Sequence, residues 1–221
     1  MQEPNYLDGA HPAETVNLLI VEAGSWVLPD GTLLEAGTQA TDLLSPEGFE
    51  QISFAVGFDE APVILSQVQT FTGTDFVTTR QRNADADGFE LTMQEEEANN
   101  DGAHAPETGG WVATEAGGGA GDGFAWLAGK ASGATDAATD VPSSLDTVGD
   151  GGVVAGLSSF NGSNPAWARG DGVATDGFVV SSEEDQSADP ETVHGPEDVD
   201  YFAFDGTGVL EAHAYDPLWF A

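Results

Sequence analysis

Cysteine is absent from the chain, so neither a disulfide framework nor a thiolate metal site is available. Lysine and arginine together number only 4. Nucleic-acid phosphates are held by those side chains, so direct nucleic-acid binding is not expected, and an anionic membrane surface would repel the chain. No apolar run approaches the ~20 residues of a membrane-spanning helix. The first residues, Met1 to Tyr6, carry no basic region followed by an apolar run, so no signal peptide is expected. The chain then stays inside a cell, leaves it within an assembled particle, or has lost a leader. Gly-x-Ser-x-Gly, phosphate-loop and His-Glu-x-x-His patterns are all missing, and the expectation is a protein that is not an enzyme. Acid pairs of the kind that hydrolyse glycosides are too common in this composition for any one to stand out.

What the chain has in excess is acid: 39 Asp and Glu, for a net charge of −35. Such a charge disorders a chain poor in apolar residues, but 40% of these residues are hydrophobic. The expectation is a folded protein under strong self-repulsion. Molar salt screens that repulsion, because the Debye length falls to about 3 Å at 1 M. This composition resembles that of proteins from extreme halophiles; an acidic mesophilic protein is the alternative.

One stretch recurs. Asp101-Gly102-Ala103-His104 is followed by Glu107 and then Glu115; near the N-terminus Asp8-Gly9-Ala10-His11 is followed by Glu14 and Glu22; near the C-terminus His194 is followed by Glu197 and Asp205. In every copy the first acid follows the His by three residues and the second follows the first by eight. A longer duplication surrounds two of the copies. Phe71, Gly73, Arg80 and Gly88-Phe89 match Phe160, Gly162, Arg169 and Gly177-Phe178 without a gap, which marks an internal repeat.

Strand patterns run over 16–21, 51–56, 62–71, 76–82, 89–94 and 110–115, with turn signals at Pro29-Asp30-Gly31 and Asp87-Gly88. Short strands at intervals of about 8 to 12 residues, with no sustained helical period, predict tandem antiparallel β-sandwich domains. The expected organisation is an N-terminal half-unit and connector (1–48), a sandwich unit (49–117), a Gly-, Ala- and Asp-rich connector with one edge strand at 124–128 (118–147), a second unit (148–210) and an aromatic tail (211–221). Gly24 to Leu34 reads as a hairpin or tight loop. The tail reads either as a clip on the last domain or as a docking peptide. Met1-Gln2-Glu3 parallels Met93-Gln94-Glu95, so the N-terminal copy holds only the closing part of a unit. Its strand over 16–21 is expected to pair with one of the complete units or with a neighbouring subunit; a truncated product is the alternative.

Several side chains are candidates for chemistry. Glu95, Asp101, His104 and Glu107 offer oxygen and nitrogen donors for a divalent cation, calcium or magnesium; the other reading is a loop device in which His104 hydrogen-bonds Glu107. Arg80 and Arg169 are expected to pair with Glu107 and Glu197 respectively, or else to read a ligand. Trp111 and Tyr201 occupy equivalent positions, and with His194 they join the candidate ligand-binding set. Their rings either stack on sugars or fill the core.

The runs 63–70, 79–83 and 88–91, then Gln94-Glu95-Glu96, His104 and Glu107-Thr108, resemble repeats in large secreted or surface proteins of bacteria and haloarchaea. They are also similar to the H-type lectin domain, a six-stranded antiparallel sandwich that assembles as trimers and binds sugars between subunits. The resemblance is good over 58–116, partial over 148–206, and covers only the second half of a unit at 8–24. It implies a homo-oligomer, a trimer first, working with other structural subunits and binding cell-surface glycans. The location implied is the cell surface or exterior of a halophile, or a virion, where the chain would be a tail fibre, spike or decoration. A purely architectural protein that cements subunits is the alternative function.

Overall fold

The computed structural model describes residues 13, 15–143, 145, 151–174 and 176–217. Among them the protein is all-β, with one 3₁₀ turn at Glu97–Asn99 and no α-helix. The first seven strands are β1 (Gly24–Val27), β2 (Leu33–Thr41), β3 (Glu50–Ser53), β4 (Val63–Val68), β5 (Val77–Arg82), β6 (Gly88–Glu95) and β7 (Glu107–Thr114). They form a sheet in the order β1-β2-β7-β4, which faces a second sheet in the order β3-β6-β5. The next seven are β8 (Gly117–Ala120), β9 (Ala125–Ala134), β10 (Thr139–Pro142), β11 (Gly152–Leu157), β12 (Ala166–Ala174), β13 (Gly177–Glu184) and β14 (Glu197–Phe204). Their sheets run β8-β9-β14-β11 and β10-β13-β12. The repeat is therefore one of topology as well as sequence, and the last strand of each unit lies at the centre of its sheet, flanked on both sides.

Two stretches read as connector contribute strands to these sheets. β2 runs through 33–41 and β8, β9 and β10 occupy most of 117–142. Glycine misdirects the reading there, because it ordinarily marks a turn. Here it makes room for an aromatic ring on the neighbouring strand. Gly37 pairs with Trp111 and Gly129 with Tyr201. A Cβ at Gly37 would sit 2.5 Å from the Trp111 ring, and one at Gly129 would collide with the Tyr201 phenol. The large partner fills the volume the glycine leaves empty. Gly37→Ala is therefore expected to destabilise the protein by about 1–3 kcal/mol through overpacking. Denaturant unfolding in molar salt measures this; an unchanged midpoint would show that the ring moves aside freely.

Each sandwich has its own apolar core. In the first unit Val27, Ile52, Ile64, Phe89, Leu91 and Trp111 meet between the sheets, and Phe89 and Trp111 pack edge to face at 5.6 Å. In the second, Val141, Phe178, Val180, Val199 and Tyr201 do the same. A third cluster belongs to neither core: Leu28, Val63 and Leu65 of the first unit pack against Trp126, Ala128 and Phe202 of the second. Trp126 and Phe202 stack with ring centroids 5.3 Å apart.

Residues 15–22, inside the strongest strand pattern in the sequence, form no strand, and no strand among the described residues pairs with them. The tail supplies a short strand, β15 (His213–Ala214), on the free edge of β1, where Trp26 pairs with Ala214. The Tyr215 N–H donates to Ser25 O at 2.8 Å. The tail over 213–215 is thus a clip, but on the first unit and not, as expected, on the last. Leu218 to Ala221, and the His11 and Glu14 copy of the motif, lie outside the described residues.

Candidate functional site

The recurrent acid opens the closing strand of each unit and clasps the loop that follows the fourth strand. The Glu107 carboxylate accepts from Thr72 N–H at 2.6 Å, Gly73 N–H at 2.9 Å and Thr72 Oγ1 at 3.2 Å, and also from Thr70 Oγ1. Glu197 accepts from Asn161 N–H at 3.0 Å, Gly162 N–H at 3.2 Å and Ser159 Oγ. The recurrent His lies over the glycine of that loop: a Cβ at Gly73 or Gly162 would collide with the His104 or His194 ring. His194 Nε2 lies 3.0 Å from the Glu197 carboxylate. His104 differs from the expectation of a bond to Glu107; its ring nitrogens face Ala105 O at 2.8 Å and Asp75 O at 3.4 Å. Burial pushes both carboxyls up, but the hydrogen bonds outweigh it. Glu107 falls below the usual carboxylate range, and Glu197, with His194, Ser159, Arg80 and Asn161 around it, falls to about 2.

The arginines are paired otherwise than expected. Arg80, fully buried on β5, donates to Glu197 of the second unit at 2.9 Å, not to Glu107 of its own. It also donates to Gln94 Oε1 at 2.8 Å and Ser159 O at 3.1 Å, and its guanidinium lies 4.8 Å from the Phe160 ring centroid. Arg169, its counterpart on β12, is exposed and pairs with Glu183 on the adjacent strand instead of with Glu197. The reason is position: the outer face of β5 meets the second unit, whereas Arg169 on β12 faces solvent.

Asp200 completes the polar part of this seam. Buried on β14, it accepts from Ile64 N–H of the first unit at 2.7 Å and from Ser158 Oγ at 2.8 Å, and Lys130 Nζ approaches to 3.5 Å. β4 is an edge strand, and Asp200 thereby satisfies an edge amide. Burial holds the Asp200 carboxyl above its usual range despite these partners. Gln94 Oε1 also receives Ala166 N–H at 3.3 Å. At the rim, Arg82 lies 3.6 Å over the Phe49 ring, which packs edge to face on Phe160 at 5.5 Å. Sequence reasoning passed over Asp200 and Gln94. The available signal was a polar residue inside an apolar strand, as in Val199-Asp200-Tyr201.

Trp111 and Tyr201 are buried in the two cores, so neither ring presents a stacking face to solvent. Glu95, Asp101, His104 and Glu107 do not converge: among the described residues no group of three or more His, Asp or Glu is arranged to hold a metal ion. Glu95 is instead a buried carboxyl with neither oxygen hydrogen-bonded. Burial, opposed by His104 and reinforced by Asp75, Asp101 and Glu96, raises it to about 7. Below its ordinary value of 4.5 the group is protonated in both folded and unfolded chains. Above about 7 it is ionised in both, and the folded state carries the whole burial penalty. Glu95→Gln is therefore expected to stabilise the protein at pH 8 by about 1–3 kcal/mol and to change little at pH 4. Thermal unfolding at the two pH values measures the difference; equal stability at pH 8 would refute it.

An apolar groove of about 750 Å³ lies beside the seam, lined by residues 15–22, Trp26, Phe124, Phe204 and the 206–210 loop. Leu19 packs there onto the cluster shared by the two units. No family model and no solved structure matches the chain. It is similar to halomucin of Haloquadratum walsbyi, 31% identical over 205 residues, a match that takes in 90% of this chain and spans 2% of the length of halomucin.

Proposed function

We propose that this chain is a structural segment of the cell surface of a halophile, two sandwich units locked into a single block and free of catalytic chemistry. The observation that carries this reading is the seam. A fully buried Arg80–Glu197 bridge, a buried aspartate on an edge amide and a shared apolar cluster join the units, the construction of a load-carrying joint and not of a flexible linker. The likeness to halomucin over 90% of the chain supports the surface location. Architecture is favoured over glycan capture because Arg80, Trp111, Tyr201 and His194, which would meet a sugar, are used within the seam, the cores and the loop clasp. A membrane-impermeant label applied to intact producing cells in molar salt is expected to modify the protein. Labelling only after lysis would overturn the location, and recovery in purified virus particles would replace it with a virion role.

A further inference from the structure

Residues 15–22 have their apolar side chains turned the wrong way for a segment that belongs only to this pair of units. Val16, Leu18 and Ile20 are 56%, 69% and 87% exposed. The recurrent motif fixes their counterparts: aligning Glu14 with Glu107 and Glu197 places Val16, Leu18 and Ile20 on Gly109, Trp111 and Ala113 of β7 and on Val199, Tyr201 and Ala203 of β14. Those residues are the inward row of each complete unit, buried in its core. The other row agrees as well. Leu19 matches Phe202, and both sit on the apolar cluster at the seam. The segment therefore already holds the outer-row position of a closing strand and leaves its core-facing row uncovered.

We infer that residues 15–22 are the closing strand of a further sandwich unit, and that they take as partner an incomplete unit of this same repeat, one that supplies the six other strands and an open slot between its second and fourth. Three features specify that occupant. A closing strand in this fold is flanked by two neighbours, as β7 is by β2 and β4, so edge pairing alone would leave half its backbone groups unbonded. The inward row needs an opposing sheet to bury it. Both complete units have this slot filled by their own β7 or β14, so neither unit of a second copy offers it. The junction would repeat the logic of strand addition, with backbone hydrogen bonds giving affinity and the alternate side chains giving register. This inference does not depend on the cell-surface reading.

The test extends the full chain by placing a copy of residues 24–92 directly before Met1. The parallel between Met1-Gln2-Glu3 and Met93-Gln94-Glu95 makes that fusion recreate one whole unit but for a single residue in the loop before Glu14. Amides 16–21 are expected to exchange with solvent at least about 100-fold more slowly in the extended chain than in the parent. Leu18→Asp in the extended chain is expected to abolish the protection, because it places a charge in the new core. Leu18→Trp is expected to deepen it, because a tryptophan there would cover the Gly37 copy as Trp111 covers Gly37. Unchanged exchange at 16–21 in the extended chain overturns the inference, whether the added residues fold or not. So does protection that survives Leu18→Asp.

Discussion

Arg80→Ala is expected to lower the stability of the whole protein by about 3–5 kcal/mol, the range for removing one partner of a buried ion pair. The truncation strips Glu197 of its cation while leaving the carboxylate fully buried, and removes a donor from Gln94 and from Ser159 O. The carboxyl of Glu197, held at about 2, then rises, and stability that is present above its ordinary value of 4.5 is lost from a higher pH downward. The loss belongs to the broken pair and not to the absence of charge as such. Arg80→Met with Glu197→Gln is accordingly expected to recover much of it, as buried pairs replaced by neutral side chains often do. Arg169→Ala, at the repeat-equivalent but exposed position, is expected to change stability by less than about 1 kcal/mol. Denaturant unfolding of the four proteins in molar salt decides the matter. An Arg80→Ala variant within about 1 kcal/mol of the parent would mean that the seam is not the joint described above.

Dilution from about 3 M to about 0.2 M salt is expected to unfold the chain, the Debye length growing from under 3 Å to about 7 Å over that range. The structure supplies the reason that composition alone does not. Arg80, Arg82, Lys130 and Arg169 make up the whole cationic complement, and each already faces an acid: Glu197, Glu90, Asp200 and Glu183. Each Lys and Arg is thus committed to one acid, and the excess of carboxylates over these side chains, 39 against 4, is left for solvent cations to screen. Near-ultraviolet circular dichroism with light scattering across a salt titration reads the outcome. A packed aromatic signal retained at about 0.2 M would contradict it and point to an ordinary acidic protein.

Much of the fold was legible in the residues, and the exceptions share one cause. The strands near 51–56, 62–71, 76–82 and 89–94 were visible because alternation and turn residues are local signals. β2 showed only as the far arm of the 24–34 hairpin and β9 only as an edge strand at 124–128, although β9 lies between β8 and β14; the rest of both was missed, since Gly37 and Gly129 gain their meaning from rings on other strands. The run at 16–21 shows the converse: an excellent strand pattern forms no strand where no neighbour is present to pair with it. The candidate site divides in the same way. The recurrence of His and Glu marks a loop clasp at β7 and at β14, in which Glu107 and Glu197 do the holding and, of the two histidines, His194 alone bonds its acid. The partner of Arg80 did not follow from the sequence, because the repeat offers Glu107 and Glu197 as equals, and only the docking of one unit on the other selects Glu197.

Each unit places its final strand at the middle of a sheet and not at the rim. A ribosome making this chain thus releases six strands before the one that joins them. Until residues 107–114 emerge, β2 and β4 lack the strand that joins them, and the loop at 70–73 lacks the carboxylate of Glu107. Folding is gated by the end of each repeat, with the high contact order and slow closure that such topology entails. The place of the missing strand is also an opening through which the closing strand of an adjacent repeat can enter by mistake. The repeats differ where it matters for that error: the ring over the central glycine is Trp111 in one and Tyr201 in the other. Swapping those two residues is thus a way to ask whether neighbouring repeats are kept in order during synthesis by the fit of a single side chain.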